Sequence, residues 1–246
     1  MNPFRETAAR SDLGRQRRRN EDRYHAQAAP GLLLVADGLG GHNAGDVAST
    51  IAVTTCSETL AALGGAFNPE QLRLAVAEAN AAIFAAASST PRWSGMGTTL
   101  VAAALCQDRL AVAHVGDSRL YRLRDEQMVV LTRDHTVAQW RLDLGLCTPA
   151  EARASSGAHR LTRAIGMDTD CGAEVAACRC EPGDGFLLCS DGLNHELEDE
   201  VIAREWRNAM RRDDSADSLC RALIDKANQA LNCNKGATIA TSQSKV

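Results

Sequence analysis

Gly31-Leu32-Leu33-Leu34-Val35-Ala36-Asp37-Gly38-Leu39-Gly40-Gly41-His42 is the stretch that decides the fold. The apolar run over 31–36 has the length and composition of a strand buried on both faces. It predicts a strand that ends at Asp37, a glycine-rich turn over 38–41, and then a helix over 44–63 with Ala48, Ile51, Ala52 and Thr55 on one face. Upstream, 6–11 and 23–29 alternate as strands do. Downstream, Asn68 and Pro69 open a second helix over 69–87, where Asn caps and Pro suits the first turn, and Leu72, Val76, Ala79 and Ile83 form its apolar stripe.

Four further strands follow at 98–106, 109–115, 120–124 and 128–131, joined by short polar turns, and they read as one antiparallel meander. A short helix over 136–144 ends at Gly145, and Thr148-Pro149-Ala150-Glu151 is a capping box. These pieces carry little apolar surface, so 136–160 is expected to form a surface flap. Strands at 160–165, 173–179 and 186–189, helices at 198–211 and 215–231, and a final short strand at 237–241 complete the order. Strands in groups and helices in pairs favour two packed sheets with helices on their outer faces over a doubly wound parallel sheet. The expected unit is a single domain over 1–246, with no repeat or linker.

Composition narrows the function classes. Of 246 residues, 45% are apolar and 24% charged, which is ordinary globular usage. A net charge of −4 and one short arginine cluster (Arg15, Arg17, Arg18, Arg19) argue against nucleic acid as a partner. The N-terminus has no apolar leader and no run is long enough to span a membrane, so the expected location is the cytoplasm, with no membrane partner. The nine cysteines are odd in number and contain no Cys-x-x-Cys pair, so all are read as reduced.

Three times an apolar strand runs into an aspartate followed by glycine or serine: Val35-Ala36-Asp37-Gly38, His114-Val115-Gly116-Asp117-Ser118 and Leu188-Cys189-Ser190-Asp191-Gly192. One such motif also marks an ordinary turn. Three of them place carboxylates on rigid strand ends, where they repel unless cations neutralise them, and so point to a hard divalent metal site. Glycine after Asp37 removes the side chain that would keep an ion from the backbone carbonyl. His114 and His135 read as structural.

The ordered set Arg17-x-x-x-Glu21-Asp22, Asp37-Gly38-Leu39-Gly40-Gly41-His42, Gly95-Met96-Gly97-Thr98-Thr99, Gly116-Asp117-Ser118-Arg119 and Ser190-Asp191-Gly192 resembles the bacterial branch of the PPM (protein phosphatase 2C-type) serine/threonine phosphatases. The resemblance runs from about residue 9 to 231. It implies an α/β (α+β) four-layer α-β-β-α sandwich and hydrolysis of phosphoserine and phosphothreonine in proteins, reversing serine/threonine kinase signalling. By the resemblance, Asp37 bridges two Mn²⁺ or Mg²⁺ ions, the Gly38 carbonyl binds the second, and Asp191 ligates the first. Asp117 and Asp191 together hold a third, weaker ion, and Glu21 and Asp22 act mainly through metal-bound waters. Such oxygen-rich sites suit those ions. Arg17 clamps the substrate phosphate. His42 is the candidate general acid, against a structural histidine at a helix start; the position directly after Asp37-Gly38, where eukaryotic relatives carry histidine, is Leu39.

The pattern departs at the C-terminal end, 232–246. Where the family carries a further metal aspartate, Asn232-Cys233-Asn234-Lys235-Gly236-Ala237-Thr238 places Lys235. An ammonium in place of a carboxylate changes the local charge by about two units, which is worth several kcal/mol at about 4 Å in a partly solvated site. The residues after Thr238 are also more polar than a central strand usually is. The alternative function is therefore a catalytically weak phosphatase fold that binds phosphoproteins or regulates a partner. A nucleotide site on Gly38–Gly41 is disfavoured, because the stretch has neither dinucleotide spacing nor a phosphate-loop lysine.

Overall fold

The computed structural model describes residues 4–15, 17, 19–29, 31–39, 44–64, 67–230 and 236–244. The apolar run forms β3 (Leu32–Leu39), where Leu33 and Val35 face one way and Leu34 and Ala36 the other, all fully buried. It continues two residues past Asp37, because Gly38 and Leu39 pair with β4 (Gly97–Thr98). On one side of β3 lies β2 (Asp22–Gln27), and on the other β5 (Leu100–Cys106), β6 (Arg109–Val115) and β9 (Glu174–Arg179) follow in that order. The second sheet runs β1 (Phe4–Asp12), β11 (Ala237–Ser244), β10 (Gly185–Cys189), β7 (Arg119–Arg124) and β8 (Gln127–Val130). Every pairing in both sheets is antiparallel.

Three apolar layers hold the sandwich together. Leu33, Val35, Val101 and Leu110 of the first sheet pack against Leu120, Phe186, Leu188 and Ala240 of the second. Outside the first sheet lie α1 (Gly45–Ala62) and α2 (Pro69–Ser89), which bury Ala48, Ala52, Leu72, Val76 and Ile83. Outside the second lie α6 (Asp199–Arg211) and α7 (Ala216–Gln229), with Trp206, Leu219 and Leu223 inward. This is the expected α-β-β-α order. Among the described residues no helix is long and apolar enough to cross a membrane, and all eight described cysteines are free.

The remaining helices are α3 (Val137–Asp143), α4 (Pro149–Ala154) and α5 (Asp191–Asn194). The Asn68 and Thr148 capping boxes both form as the sequence predicts.

Three expectations are corrected. The four-strand meander is broken, because β6 and β7 belong to different sheets. Gly116 takes φ +102 between them, a conformation suited to glycine, and carries the chain across the interior. The strand expected over 160–165 makes only isolated bridges, Thr136 to Leu161 and Thr98 to Ile165. The last strand is longer than 237–241: β11 runs to Ser244 and lies between β1 and β10 despite its polar residues. Its hydroxyls find partners, with Thr238 Oγ1 2.6 Å from Ser11 Oγ and Thr241 Oγ1 donating to the Phe186 carbonyl at 2.8 Å.

Candidate active site

The three strand-end aspartates converge at one edge of the sandwich. Asp37 sits near the end of β3, Asp117 in the β6–β7 crossing and Asp191 at the first position of α5, two residues past the end of β10. Asp22, the first residue of β2, pairs across the ladder with Asp37. Their exposures are 3% (Asp22), 4% (Asp37), 3% (Asp117) and 5% (Asp191), so four carboxylates are buried together.

That burial is electrostatically costly. Asp37 is held well above the usual carboxylate range, first by burial and then by the charges of Asp22, Asp191 and Asp117, with Arg17 opposing. Asp22 is also raised, mainly by burial, although hydroxyls from Ser190 and Thr238 favour its charged form. Asp37 Oδ1 is buried with no hydrogen-bond partner among the described residues. A buried acceptor without a donor in an all-oxygen setting is what a hard divalent cation would satisfy, so the residues fit such an ion.

The motifs around the aspartates hold them in place. Asp37 N–H donates to Thr99 Oγ1 at 3.0 Å, and the Asp37 carbonyl accepts from Thr99 N–H and from Thr98 Oγ1, both at 2.9 Å. Thr99 Oγ1 lies 2.7 Å from Ser118 Oγ, so the Gly97-Thr98-Thr99 segment ties Asp37 to the Asp117 corner. Ser190 Oγ donates to Asp22 Oδ2 at 2.7 Å and accepts from Thr238 N–H at 3.0 Å. A Cβ on Gly38 would fall 2.1 Å from the Gly45 carbonyl oxygen and 2.8 Å from that of Glu21, so only glycine lets these three backbone segments meet.

Arg17 and Glu21 stand half-buried at the rim, with Arg17 Nη1 3.4 Å from Glu21 Oε2. His42 and Lys235 lie outside the described residues. Gly236, next after Lys235, is seated against the site: a Cβ on Gly192 would fall 1.8 Å from its carbonyl oxygen.

His114 and His135, read from the sequence as structural, contact each other and the backbone near Asp117. Their rings stack with centroids 4.7 Å apart, and Nε2 of His114 donates to the Arg133 carbonyl at 2.8 Å. Gly116 N–H donates to His135 Nδ1 at 3.1 Å, which fixes the backbone beside Asp117. Burial, then His114 and Arg163, push His135 down to about 4, so it is neutral near pH 7.

Sequence reasoning missed His195. Its Nδ1 lies 3.4 Å from Asp191 Oδ2. The signal available was the four-residue step from Asp191 in a helical turn. Beside it opens a cleft of ≈ 350 Å³, lined by Arg119, Asp134, His159, His195, Glu198 and Asp199.

Comparison with known proteins gives one answer. The chain is 40% identical over 196 residues to the serine/threonine protein phosphatase PstP of Mycobacterium tuberculosis, covering 79% of this chain and 37% of that protein. It thus spans well under half the length of that mycobacterial relative. It is 36% identical over 229 residues to the serine/threonine phosphatase stp of Listeria innocua, covering 89% of this chain and 88% of that one. A crystal structure of the mycobacterial phosphatase superposes with TM-score 0.90 at 33% identity, covering 98% of this chain and 99% of the other. A second structure, of the PstP catalytic domain with two manganese ions, gives 0.86 at 34% identity, covering 97% of each chain. The sequence profile of the family described as protein phosphatase 2C matches residues 14–233. With the sandwich and its buried carboxylates already in view, that match over nearly the whole length means that the chain belongs to the protein phosphatase 2C family.

Proposed function

We propose that the chain is a metal-dependent phosphatase that hydrolyses phosphoserine and phosphothreonine in proteins, opposing a serine/threonine kinase in the cytoplasm. The observation that carries this reading is the burial of Asp22, Asp37, Asp117 and Asp191 together at one sheet edge, with Asp37 Oδ1 unpartnered among the described residues. Family membership and the naming of its relatives as serine/threonine phosphatases support it.

In this reading Asp37, the Gly38 carbonyl and Asp191 would hold two Mn²⁺ or Mg²⁺ ions, Asp117 and Asp191 would hold a third, and Glu21 and Asp22 would act through water beside them. When bound, such ions supply Lewis acidity and acidify water for attack on phosphorus. The protein's own contribution is position and charge. Thr98, Thr99 and Ser118 fix Asp37 relative to Asp117, and Ser190 fixes Asp22 relative to the second sheet. Arg17, aligned by Glu21, offers paired N–H groups to the phosphate oxygens. His42 is the proposed proton donor to the leaving serine or threonine oxygen. The segment 136–160 serves as a flap beside the substrate cleft, within one domain.

The test is phosphate release from an aryl phosphate and a phosphothreonine peptide, with Mn²⁺ and with excess chelator. Turnover that appears with Mn²⁺ and disappears with chelator is expected; no turnover at millimolar Mn²⁺ overturns the reading.

A further inference from the structure

His195 stands where a third donor to the Asp117–Asp191 pair would stand. One ligand atom from each of Asp117, Asp191 and His195 lies within 4.8 Å of the other two, with the aspartates buried and the histidine half-buried. The Nδ1 to Oδ2 separation of 3.4 Å suits neighbouring positions around one ion, since donors about 2.2 Å from a cation at right angles stand about 3 Å apart. The ring is also fixed from behind: His159 packs against it with centroids 4.0 Å apart. A half-buried imidazole fixed in this way loses less freedom on binding an ion than an exposed one.

Chemistry separates this from a purely oxygen site. Carboxylates alone accept Mg²⁺ and Mn²⁺ alike, whereas an imidazole favours the softer transition ions. We propose that His195 supplies a nitrogen ligand to the cation held by Asp117 and Asp191, so that this site prefers Mn²⁺ to Mg²⁺. The inference rests on the reading of Asp117 and Asp191 given above. It also gives the imidazole a role that a hydrogen bond to Asp191 alone would not.

The test is electron spin-echo spectroscopy of the whole protein loaded with more than two equivalents of Mn²⁺, in natural-abundance form and with ¹⁵N-labelled histidine. The inference expects nitrogen modulation on the Mn²⁺ signal that changes from the ¹⁴N to the ¹⁵N pattern. His195→Asn, which places an oxygen near the Nδ1 position, should abolish the modulation while keeping an ion in the site and raising its relative affinity for Mg²⁺. His195→Ala should weaken the third Mn²⁺ equivalent about tenfold or more in equilibrium dialysis. Bound Mn²⁺ whose modulation ignores histidine labelling, or survives His195→Asn, overturns the inference and leaves the proposed function standing. Absence of any Mn²⁺ binding overturns both. The labelling comparison needs no variant, so a fold-disrupting substitution does not rescue the idea.

Discussion

Asp37→Asn should stabilise the metal-free protein while abolishing its activity. Asp37 is buried among Asp22, Asp117 and Asp191, its Oδ1 lacks a partner among the described residues, and burial and its neighbours' charges hold its carboxyl well above the usual range. A buried charge without compensation costs several kcal/mol, and a neutral amide of the same size can donate to Asp22 instead. Recovering about 2 kcal/mol of that cost raises Tm by ~4–8 °C for a chain of this length. A carboxyl raised in the folded state contributes most below its unfolded value near 3.8, and that stability is lost as pH rises through the folded value. The metal-free wild type should therefore weaken as pH rises from about 4, and the variant should weaken less. Scanning calorimetry in chelator from pH 4 to 8 measures this. Mn²⁺ at a hundredfold excess over Kd should then restore about 2.7 kcal/mol to the wild type and little to the variant. Turnover should fall on the order of a thousandfold, as expected for losing several kcal/mol of cation stabilisation. A variant less stable than wild type in chelator at pH 7, or one with an undiminished Mn²⁺ response, would refute the reasoning.

Arg17→Ala should raise KM about tenfold with kcat nearly unchanged if, as proposed, its guanidinium binds phosphate in ground and transition states alike; a matching fall in kcat would contradict that role. Gly192→Ala should cost about 3 kcal/mol or more in thermal unfolding, since its Cβ would fall 1.8 Å from the backbone oxygen of Gly236, which directly precedes β11. His135, lowered to about 4, contributes stability that is present above about 6.5 and is lost as pH falls towards 4. His135→Asn keeps an acceptor for Gly116 N–H and should flatten that acid loss by up to about 3 kcal/mol in unfolding measured at pH 4 to 7. Lys235→Asp should tighten Mn²⁺ binding and raise kcat in a calorimetric titration paired with phosphate release; no change in either would place Lys235 away from the carboxylates.

The elements were legible wherever one physical cause dominated. The run from Leu32 to Ala36 is buried on both faces and reads so, and the capped helices α2 and α4 start where Asn68 and Thr148 predict. The three Asp-Gly or Asp-Ser motifs were also legible as a group, because each follows a buried apolar run, although β3 continues past Asp37 to Leu39 and Asp191 opens α5. Sheet membership was not. The alternation of β6 and β7 is satisfied equally by pairing with each other or with different partners, and only the course of the chain at Gly116 decides between them. The polarity of β11 was misleading for a related reason. A central strand can carry Thr238 and Thr241 when neighbouring hydroxyls and carbonyls receive them, and those partners are up to 227 residues away in sequence. For His195 the sequence offered only its four-residue step from Asp191; its proximity to Asp117, far earlier in the chain, emerges only in the fold.

The crossing at Gly116 also makes the acidic cluster a gauge of how the two leaves of the sandwich are aligned. Asp22 and Asp37 ride on one leaf, Asp191 follows a strand of the other, and Asp117 sits on the hinge between them. A cation held by these carboxylates would be gripped from both leaves at once, so its affinity would depend on how closely the leaves are aligned. That alignment rests on the packing of residues such as Val101, Leu110, Phe186 and Leu188 in the layer between the leaves. A change in that interior grease, far from any carboxylate, can retune cation affinity and turnover without altering a single donor atom, so drift in activity among related sequences can originate in the packing rather than at the edge where the chemistry is done.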